Sequence, residues 1–519
     1  MRKRAVRFFN TTGPCFPEDH YMLPPEDRLV GAQLDRYIRD KLYWCLHAPR
    51  QTGKTTFLLS WQRKISAGND AAACYVSLER CQGITEPERA MPAICEAIRE
   101  SAGKSDLPVP EVETAEPYSM LSAVLTDWAK LAAPKPLVIL FDETDVLEGN
   151  ALVSFLRQLR GGFATRGVGV FPVSIALVGL RDLKDYITAA KGGVPVNPGS
   201  PFNIKEDSAV ISNFTKTDTE HLFAQRTEET GQRIEADALE YVWEQSKGQP
   251  WIVNSLFKRA TIRVLKEDCY DTVKLEHVRE AREQIVLARE THLESLAYRL
   301  KDKGIHHVME TLISGASDPA LTESNAWQLC LDLGLTAKEN GTPVIANPMY
   351  REVIVRQMSY STQDAIPRPE WQWEKPDGSL DMDTLLKEFQ VFWRRNSELW
   401  EAKSDYTEAF PHLLLMAFLQ RVLNGGGYIN REYAAGRGRM DLFIEYKGYQ
   451  YIIEIKLVHS YETPGEVKAE GLKQTARYRE SMGGGVPSYL VIFDRRMEKP
   501  AWDARLKWSV DGGITTVEC

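Results

Sequence analysis

The 519-residue chain has eight cysteines, Cys15 to Cys519, but no CxxC pair and no zinc-ligand spacing. A metal-stapled or disulfide-stapled framework is therefore not expected, and reduced buried thiols in a cytoplasmic protein are. Long apolar runs are missing as well. Leu137–Phe141 and Leu413–Leu419 are far too short to span a bilayer, so no membrane partner is expected. The basic start Met1-Arg2-Lys3-Arg4 is not followed by an apolar h-region, which argues against a signal peptide. Excess positive charge is also lacking. At a net charge of -8, any contact with polyanions has to come from local patches. No internal repeat or low-complexity tract occurs. What is present is the composition of an ordinary soluble protein, 43% hydrophobic and 26% charged. The length exceeds what one core supports, and roughly three or four domains are expected.

The pattern along the chain changes twice. Residues 1–40 carry Pro14, Pro17, Pro24 and Pro25 and then an amphipathic stretch, Leu29–Leu42, that reads as a helix. Tyr43–His47 reads as a short apolar strand, Thr55–Ile65 as a helix, and Ala72–Leu78, Leu137–Phe141 and Val173–Leu180 as further strands. Strands alternating with helices imply a parallel sheet with crossover helices. From about Ser208 the pattern turns helical, with Phe214–Gly231, Glu235–Lys247, Trp251–Lys266 and Lys274–Leu312 as segments. Thr322–Leu333 followed by a hairpin around Asn340-Gly341 has the shape of a winged helix. Tyr360–Gly378, with three prolines, reads as a linker. A last α/β unit has strands at Tyr428–Tyr433, Met440–Tyr446, Tyr449–Lys456 and Ser488–Phe493. The expected domains are 1–207, 208–270 as a helical lid, 271–358 as the winged helix, 359–379 as the linker and 380–519.

Ala48-Pro49-Arg50-Gln51-Thr52-Gly53-Lys54-Thr55 has the spacing G-x-x-x-x-G-K-[ST], except that Ala48 replaces the first glycine. Such a loop turns backbone N–H groups inward to hold phosphate oxygens, and the following helix adds positive potential at its N-terminus. Lys54 would reach the β and γ phosphates and Thr55 would ligate magnesium. Asp142-Glu143 closes an apolar strand. Asp142 would hold the magnesium and Glu143 would activate the attacking water. Arg181 sits where either a γ-phosphate sensor or a surface salt bridge fits. Arg160 and Arg166 are weaker candidates for an arginine finger.

This region resembles the STAND/archaeal-type branch of AAA-like P-loop ATPases. The resemblance is carried by Pro49 to Thr56 (Pro49, Arg50, Gln51, Thr52, Gly53, Lys54, Thr55, Thr56), Leu140 to Asp145, Gly179 to Asp182, and Gly248-Gln249-Pro250. It implies ATP and Mg2+ as cofactors, a helical lid whose G-x-P turn folds over the nucleotide, and ATP-driven switching or homo-oligomerisation.

The second constellation lies near the C-terminus. Asp441 follows Gly436-Arg437-Gly438-Arg439, twelve residues separate it from Glu454, and Lys456 stands two positions further on. Strand alternation puts Glu454 and Lys456 on one face, and Asp441 starts the partner strand, so the three can converge. Two carboxylates suit one or two magnesium ions. Lys456 would orient a water or steady developing charge. This region resembles the PD-(D/E)xK nuclease superfamily, with Asp441, Glu454 and Lys456 at its defining positions. Gln474 with Tyr478 looks like the Q-x-x-x-Y element of some members, and Glu408 stands where the family places an additional helix acid or, equally, where a first-turn helix charge would sit. Arg431, Arg437, Arg439, Lys473, Arg477 and Arg479 could line a phosphate groove or form a solvated mixed surface.

The reading is a multidomain α/β protein in which a P-loop parallel-sheet ATPase core with a helical lid and winged helix precedes a restriction-endonuclease-like α/β domain. Its expected function is ATP-controlled, magnesium-dependent cleavage of nucleic acid, DNA rather than RNA. Family context for this pairing is mobile elements and antiviral defence. Two rivals use the same residues: an ATP-dependent nucleic-acid-binding regulator with an inactive nuclease fold, and a signalling switch driven by oligomerisation.

Overall fold

The computed structural model describes residues 7–68, 70–111, 116–180, 204–288, 291–314, 320–365, 373–401, 410–423, 427–435, 438–458, 462–496 and 500–519. The chain divides into two compact units, Met1–His292 with Gln328–Lys338, and Leu293–Trp327 with Glu339–Cys519. Among the described residues no helix is long and apolar enough to cross a membrane. All eight cysteines are free, and seven of them are buried.

The first unit is built on a six-stranded sheet. Its strands are β1 (Leu29–Val30), β2 (Tyr43–His47), β3 (Ala72–Ser77), β4 (Leu137–Asp142), β5 (Ser174–Gly179) and β6 (Lys205–Ile211), in the order β1-β6-β2-β5-β4-β3. Only β1 runs antiparallel, against β6. Both faces are covered. Alternation sends Tyr43 and Cys45 of β2 into one core, with helices Pro87–Lys104, Pro117–Ala132 and Gly149–Phe163. Trp44 and Leu46 enter the other, against Phe57, Leu58 and Trp61 of helix Lys54–Gly68. Burial on both sides is why β4 and β5 are unbroken apolar runs.

Two segments differ from the sequence expectation. Leu29–Leu42 is not one helix; Leu29 and Val30 pair with Ile211 and Val210, and the helix is confined to Leu34–Arg39. The helical pattern expected from about Ser208 is preceded by β6, whose first three residues are the charged Lys205, Glu206 and Asp207 and carry no apolar signal. Beyond it come helices Lys216–Thr230, Ala236–Ser246, Pro250–Lys258 and Leu275–Ala288. The turn before Pro250 requires glycine. Gly248 has φ +75°, and a Cβ there would lie 1.9 Å from the Phe214 carbonyl oxygen.

Further along, helix Asn325–Asp332 precedes β7 (Thr336–Glu339) and β8 (Thr342–Ile345), which join through Asn340-Gly341, both at positive φ. Part of the stretch read as a linker is ordered secondary structure, because helix Pro348–Ala365 runs into it. At its far end the Tyr446 hydroxyl and Lys447 Nζ donate to Glu374 at 2.9 and 2.6 Å, and the Tyr449 hydroxyl donates to the Asp377 carbonyl at 2.8 Å.

The second unit holds the other six-stranded sheet: β9 (Gly427–Ala435), β10 (Gly438–Tyr446), β11 (Tyr449–Val458), β12 (Ser488–Asp494), β13 (Trp508–Asp511) and β14 (Ile514–Glu518), in the order β13-β14-β12-β11-β10-β9. β9, β10 and β11 form an antiparallel meander, whereas β11, β12 and β14 run parallel. Helix Pro464–Ser481 covers one face through Val467 and Tyr478. Phe389, Trp393, Phe418 and Phe493 form an aromatic cluster, with Trp393 and Phe493 centroids 4.9 Å apart. Trp393 is fully buried in the core.

Candidate active sites

In the first unit the loop after β2 leads directly into helix Lys54–Gly68. Lys54 Nζ donates to the carbonyls of Ala48 and Pro49 at 2.8 and 2.9 Å, drawing the loop around the ammonium. Burial pulls this ammonium down to about 8, with Asp142 opposing. Ala48 in the first loop position is fully accommodated: its methyl is buried and its N–H donates to the Gly179 carbonyl at 3.3 Å.

The acidic end of β4 meets this loop. The Thr55 hydroxyl donates to Asp142 Oδ2 at 2.6 Å, and the Tyr75 hydroxyl donates to the same oxygen at 3.2 Å. Glu143 adopts the left-handed region at φ 58°, rare for a non-glycine residue and characteristic of functional positions. Its Oε2 is buried without a partner. Burial, then Asp142, pushes its carboxyl up to about 7. Asp145 is raised in the same direction, chiefly by burial.

A pocket open to solvent lies beside Gln51, Thr52 and Gly53. The N-terminal segment lines it together with the lid helices. The Phe9 ring packs tilted against Phe257 with centroids 5.1 Å apart, Trp251 Nε1 donates to the Thr11 carbonyl at 3.1 Å, and Gln225 Nε2 donates to the Met22 carbonyl at 2.8 Å. Arg28, 8% exposed, donates through Nη2 to the Thr52 carbonyl.

In the second unit β10 and β11 bring Asp441 beside Glu454 and Lys456. Asp441 Oδ2 accepts from the Ile455 N–H at 2.8 Å. Lys456 Nζ lies 3.4 Å from Glu454 Oε1 and donates to Gln474 Oε1 at 2.7 Å, and Gln474 Nε2 donates to the Tyr478 hydroxyl at 2.7 Å. Glu454 is 1% exposed, and its Oε2 has no partner. Burial, then the Asp441 charge, pushes its carboxyl well above the ordinary range. Gly471 permits the close approach of the helix that carries Gln474. A Cβ there would meet Leu490 Cδ1 at 2.6 Å and Lys456 Cγ at 3.2 Å.

Among the described residues no group of three or more His, Cys, Asp and Glu side chains converges as a ready-made metal cage. The donor set here is two carboxylates, with one buried oxygen lacking any partner. That fits a hard cation that keeps most of its waters, and magnesium is such an ion. Glu408 and Arg181 lie outside the described residues, as do Gly436 and Arg437. Arg166 donates to the carbonyls of Lys41 and Phe163, at the end of β2 remote from the phosphate loop. Lys473 and Arg477 are exposed, and Arg479 donates to the Gly512 carbonyl at 2.8 Å.

Four side chains went unnoticed in the sequence. Tyr75 and Arg28 make contacts distant in the chain, and Asn254 lines the pocket from helix Pro250–Lys258. The fourth is His412 on helix Phe410–Leu423. Burial pulls its imidazole down to about 3, and Arg351 and Lys456 add to the effect.

Residues 406–484 match the family model described as the PD-(D/E)XK nuclease superfamily. The C-terminal sheet carries a PD-(D/E)XK domain. Asp441, Glu454, Lys456, Gln474 and Tyr478 all fall inside the matched span, which covers less than half of the chain. No curated protein matches the chain. Solved structures similar to it include a Walker-type ATPase of Pyrococcus abyssi, 14% identical, with a TM-score of 0.47 over 67% of this chain and 99% of that one. Cdc6p from Pyrobaculum aerophilum is 16% identical, with a TM-score of 0.37 over 63% and 91%. The RuvB Holliday junction branch migration motor of Thermotoga maritima is 15% identical, with a TM-score of 0.33 over 62% and 90%. The chain thus carries a PD-(D/E)XK domain in its C-terminal part, beside a parallel sheet whose β2 leads into the phosphate-loop segment.

Proposed function

We propose that the chain is an ATP-hydrolysing, magnesium-dependent nuclease in which the nucleotide state of the first unit controls phosphodiester cleavage by the second. The observation that carries the nuclease assignment is the unpartnered, buried Glu454 oxygen between Asp441 and Lys456. An unmade hydrogen bond at a buried carboxylate is destabilising, and a bound cation would relieve it.

Magnesium held by Asp441 and Glu454 would lower the pKa of a bound water and offset charge on the scissile phosphate. Lys456, positioned by Gln474 and through it by Tyr478, orients the attacking water or the phosphate oxygen. In the first unit Lys54 binds the β and γ phosphates, and Thr55 with Asp142 provides the oxygen donors for the nucleotide's magnesium. Glu143, with its raised pKa and unpartnered oxygen, accepts the proton of the hydrolytic water. DNA is the expected substrate, a cytoplasmic homo-oligomer the expected state, and mobile-element or antiviral biology the expected setting.

The deciding experiment incubates purified protein with labelled DNA and RNA panels, with and without ATP and magnesium, beside Asp441→Ala. Magnesium-dependent cleavage absent from the variant supports the reading. Binding without cleavage under every condition would favour the regulator with an inactive nuclease fold.

A further inference from the structure

Asp142 closes β4 with both carboxylate oxygens engaged. Oδ2 accepts from the Thr55 hydroxyl at 2.6 Å and from the Tyr75 hydroxyl at 3.2 Å, and Oδ1 accepts from the Glu143 N–H at 3.0 Å. The residue is 1% exposed. The Glu143 bond is local to the strand end, and the Thr55 bond joins the two motifs of the phosphate site. The Tyr75 bond comes from outside both motifs. Tyr75 lies on β3, where Ser77 is the register partner of Asp142 and Tyr75 that of Leu140. Alternation puts Tyr75 and Ser77 on the face that Asp142 shares, and the length of the phenol carries its hydroxyl forward to the carboxylate. The ring packs against the core that holds Phe57 and Trp61, which fixes where the hydroxyl sits. A carboxylate oxygen offers about two lone-pair sites, so Oδ2 is filled while Tyr75 is in place.

We propose that Tyr75 is a positioning residue that keeps Asp142 from ligating the nucleotide's metal directly, and that it thereby favours magnesium over manganese. This rests on the reading of Gly53-Lys54-Thr55 as the phosphate site. The Thr55 hydroxyl and the Asp142 carboxylate are hard oxygen donors, a set that suits magnesium. Oδ2 is the Asp142 oxygen bonded to Thr55, and so the one beside any cation that Thr55 holds. With its second lone pair taken by Tyr75, that oxygen has none left to give a metal. Asp142 then acts through a metal-bound water. Magnesium accepts this arrangement readily, since it parts with water reluctantly and keeps several waters when bound. Manganese is larger and exchanges water more easily, so it gains more from a carboxylate that ligates it directly. Removing the Tyr75 hydroxyl frees one lone pair on Oδ2 and leaves the Thr55 bond, the phosphate loop and the ring packing in place.

The test compares the full chain with its Tyr75→Phe variant. Both carry Asp441→Ala, so that no aspartate of the second candidate metal site contributes signal. Protein labelled with carbon-13 in its aspartate side-chain carboxyls is loaded with manganese and ADP and read by electron–nuclear double resonance. Strong carbon-13 coupling is expected in Tyr75→Phe and not where Tyr75 is retained. Calorimetry of ADP binding supplies a second readout. Affinity in EDTA is expected to be the same for both proteins. The ratio of ADP affinity with manganese to that with magnesium is expected to rise on the order of tenfold in the variant, the scale on which partners of metal ligands act. Strong carbon-13 coupling in the protein that retains Tyr75 would overturn the proposal whether or not the variant folds. An unchanged ratio, with no strong coupling in either protein, would overturn it too. A loss of ADP affinity in EDTA that matches the loss with both metals would reveal a structural role for Tyr75 and also overturn it. If the protein that retains Tyr75 binds ADP with neither metal, the phosphate-site reading falls and the inference falls with it.

Discussion

Asp441 accepts a hydrogen bond of 2.8 Å from the backbone N–H of Ile455, the residue that separates Glu454 from Lys456. The carboxylate on β10 is thereby pinned to the strand that carries its two functional neighbours. The cost of holding two carboxylates together is visible in Glu454, whose carboxyl is pushed upward because burial and the Asp441 charge both oppose ionisation. A divalent cation would reverse that balance.

Asp441→Ala and Glu454→Ala are each expected to abolish nucleic-acid cleavage while ATP hydrolysis continues at close to the wild-type rate, because each would remove a ligand of the proposed metal ion. Lys456→Ala is expected to reduce cleavage and spare metal binding, since an ammonium cannot ligate the ion. Parallel cleavage, ATPase and metal titrations on the three purified variants check this. Sustained magnesium-dependent cleavage by Asp441→Ala would show the constellation to be structural.

Lys54→Ala is expected to remove ATP hydrolysis and most tight nucleotide binding. Glu143→Gln is expected to retain bound ATP and slow hydrolysis by about 10²–10⁴-fold, the usual contribution of a general base. Filter binding and single-turnover hydrolysis separate the two effects. A Glu143→Gln protein unable to bind ATP would mean that this carboxyl has been given the wrong role.

The raised carboxyl of Glu143 makes stability depend on pH in a defined direction. Below its ordinary value of 4.5 both folded and unfolded chains hold the proton, whereas between 4.5 and about 7 only the folded chain keeps it. Folded protein therefore loses stability as pH rises through that window, and the loss levels off above it. In nucleotide-free protein the denaturation midpoint of Glu143→Gln should gain on that of the wild type from pH 4.5 to 7 and hold its lead beyond. Glu454→Gln should show the same sign, with its gain continuing to a higher pH. Parallel curves for wild type and Glu143→Gln across the window would rule out the shift.

Gly471→Ala places a methyl group against Leu490 and Lys456. Overpacking of this kind costs about 1–3 kcal/mol. Because the displaced atoms include the Lys456 stem, cleavage should fall by more than the loss of folded protein explains. Thermal melting read beside specific activity of the folded fraction checks it, and wild-type specific activity would show that the helix approach does not position Lys456.

Much of the architecture was legible in the sequence because burial on both faces of a parallel sheet demands unbroken apolar runs. Tyr43–His47 and Leu137–Phe141 could hardly be anything else, and the alternation along Tyr449–Lys456 already put Glu454 and Lys456 on one face. Hidden were the segments whose strand character comes from a partner. β1 is two residues long and exists only through Val210 and Ile211, and β6 begins with three charged residues. Motif spacing likewise named Lys54, Thr55, Asp142, Asp441, Glu454, Lys456 and Gln474, because each motif lies within one element or on elements adjacent in the chain. Tertiary structure alone decided what surrounds them. Tyr75 reaches Asp142 across 67 residues, Arg28 reaches Thr52 across 24, and Asn254 meets the pocket from a helix far along the chain. Hydrogen bonds that close such long loops leave no periodicity to read. They depend on which strands become neighbours in the sheet and on how closely a helix can approach it, as at Gly471.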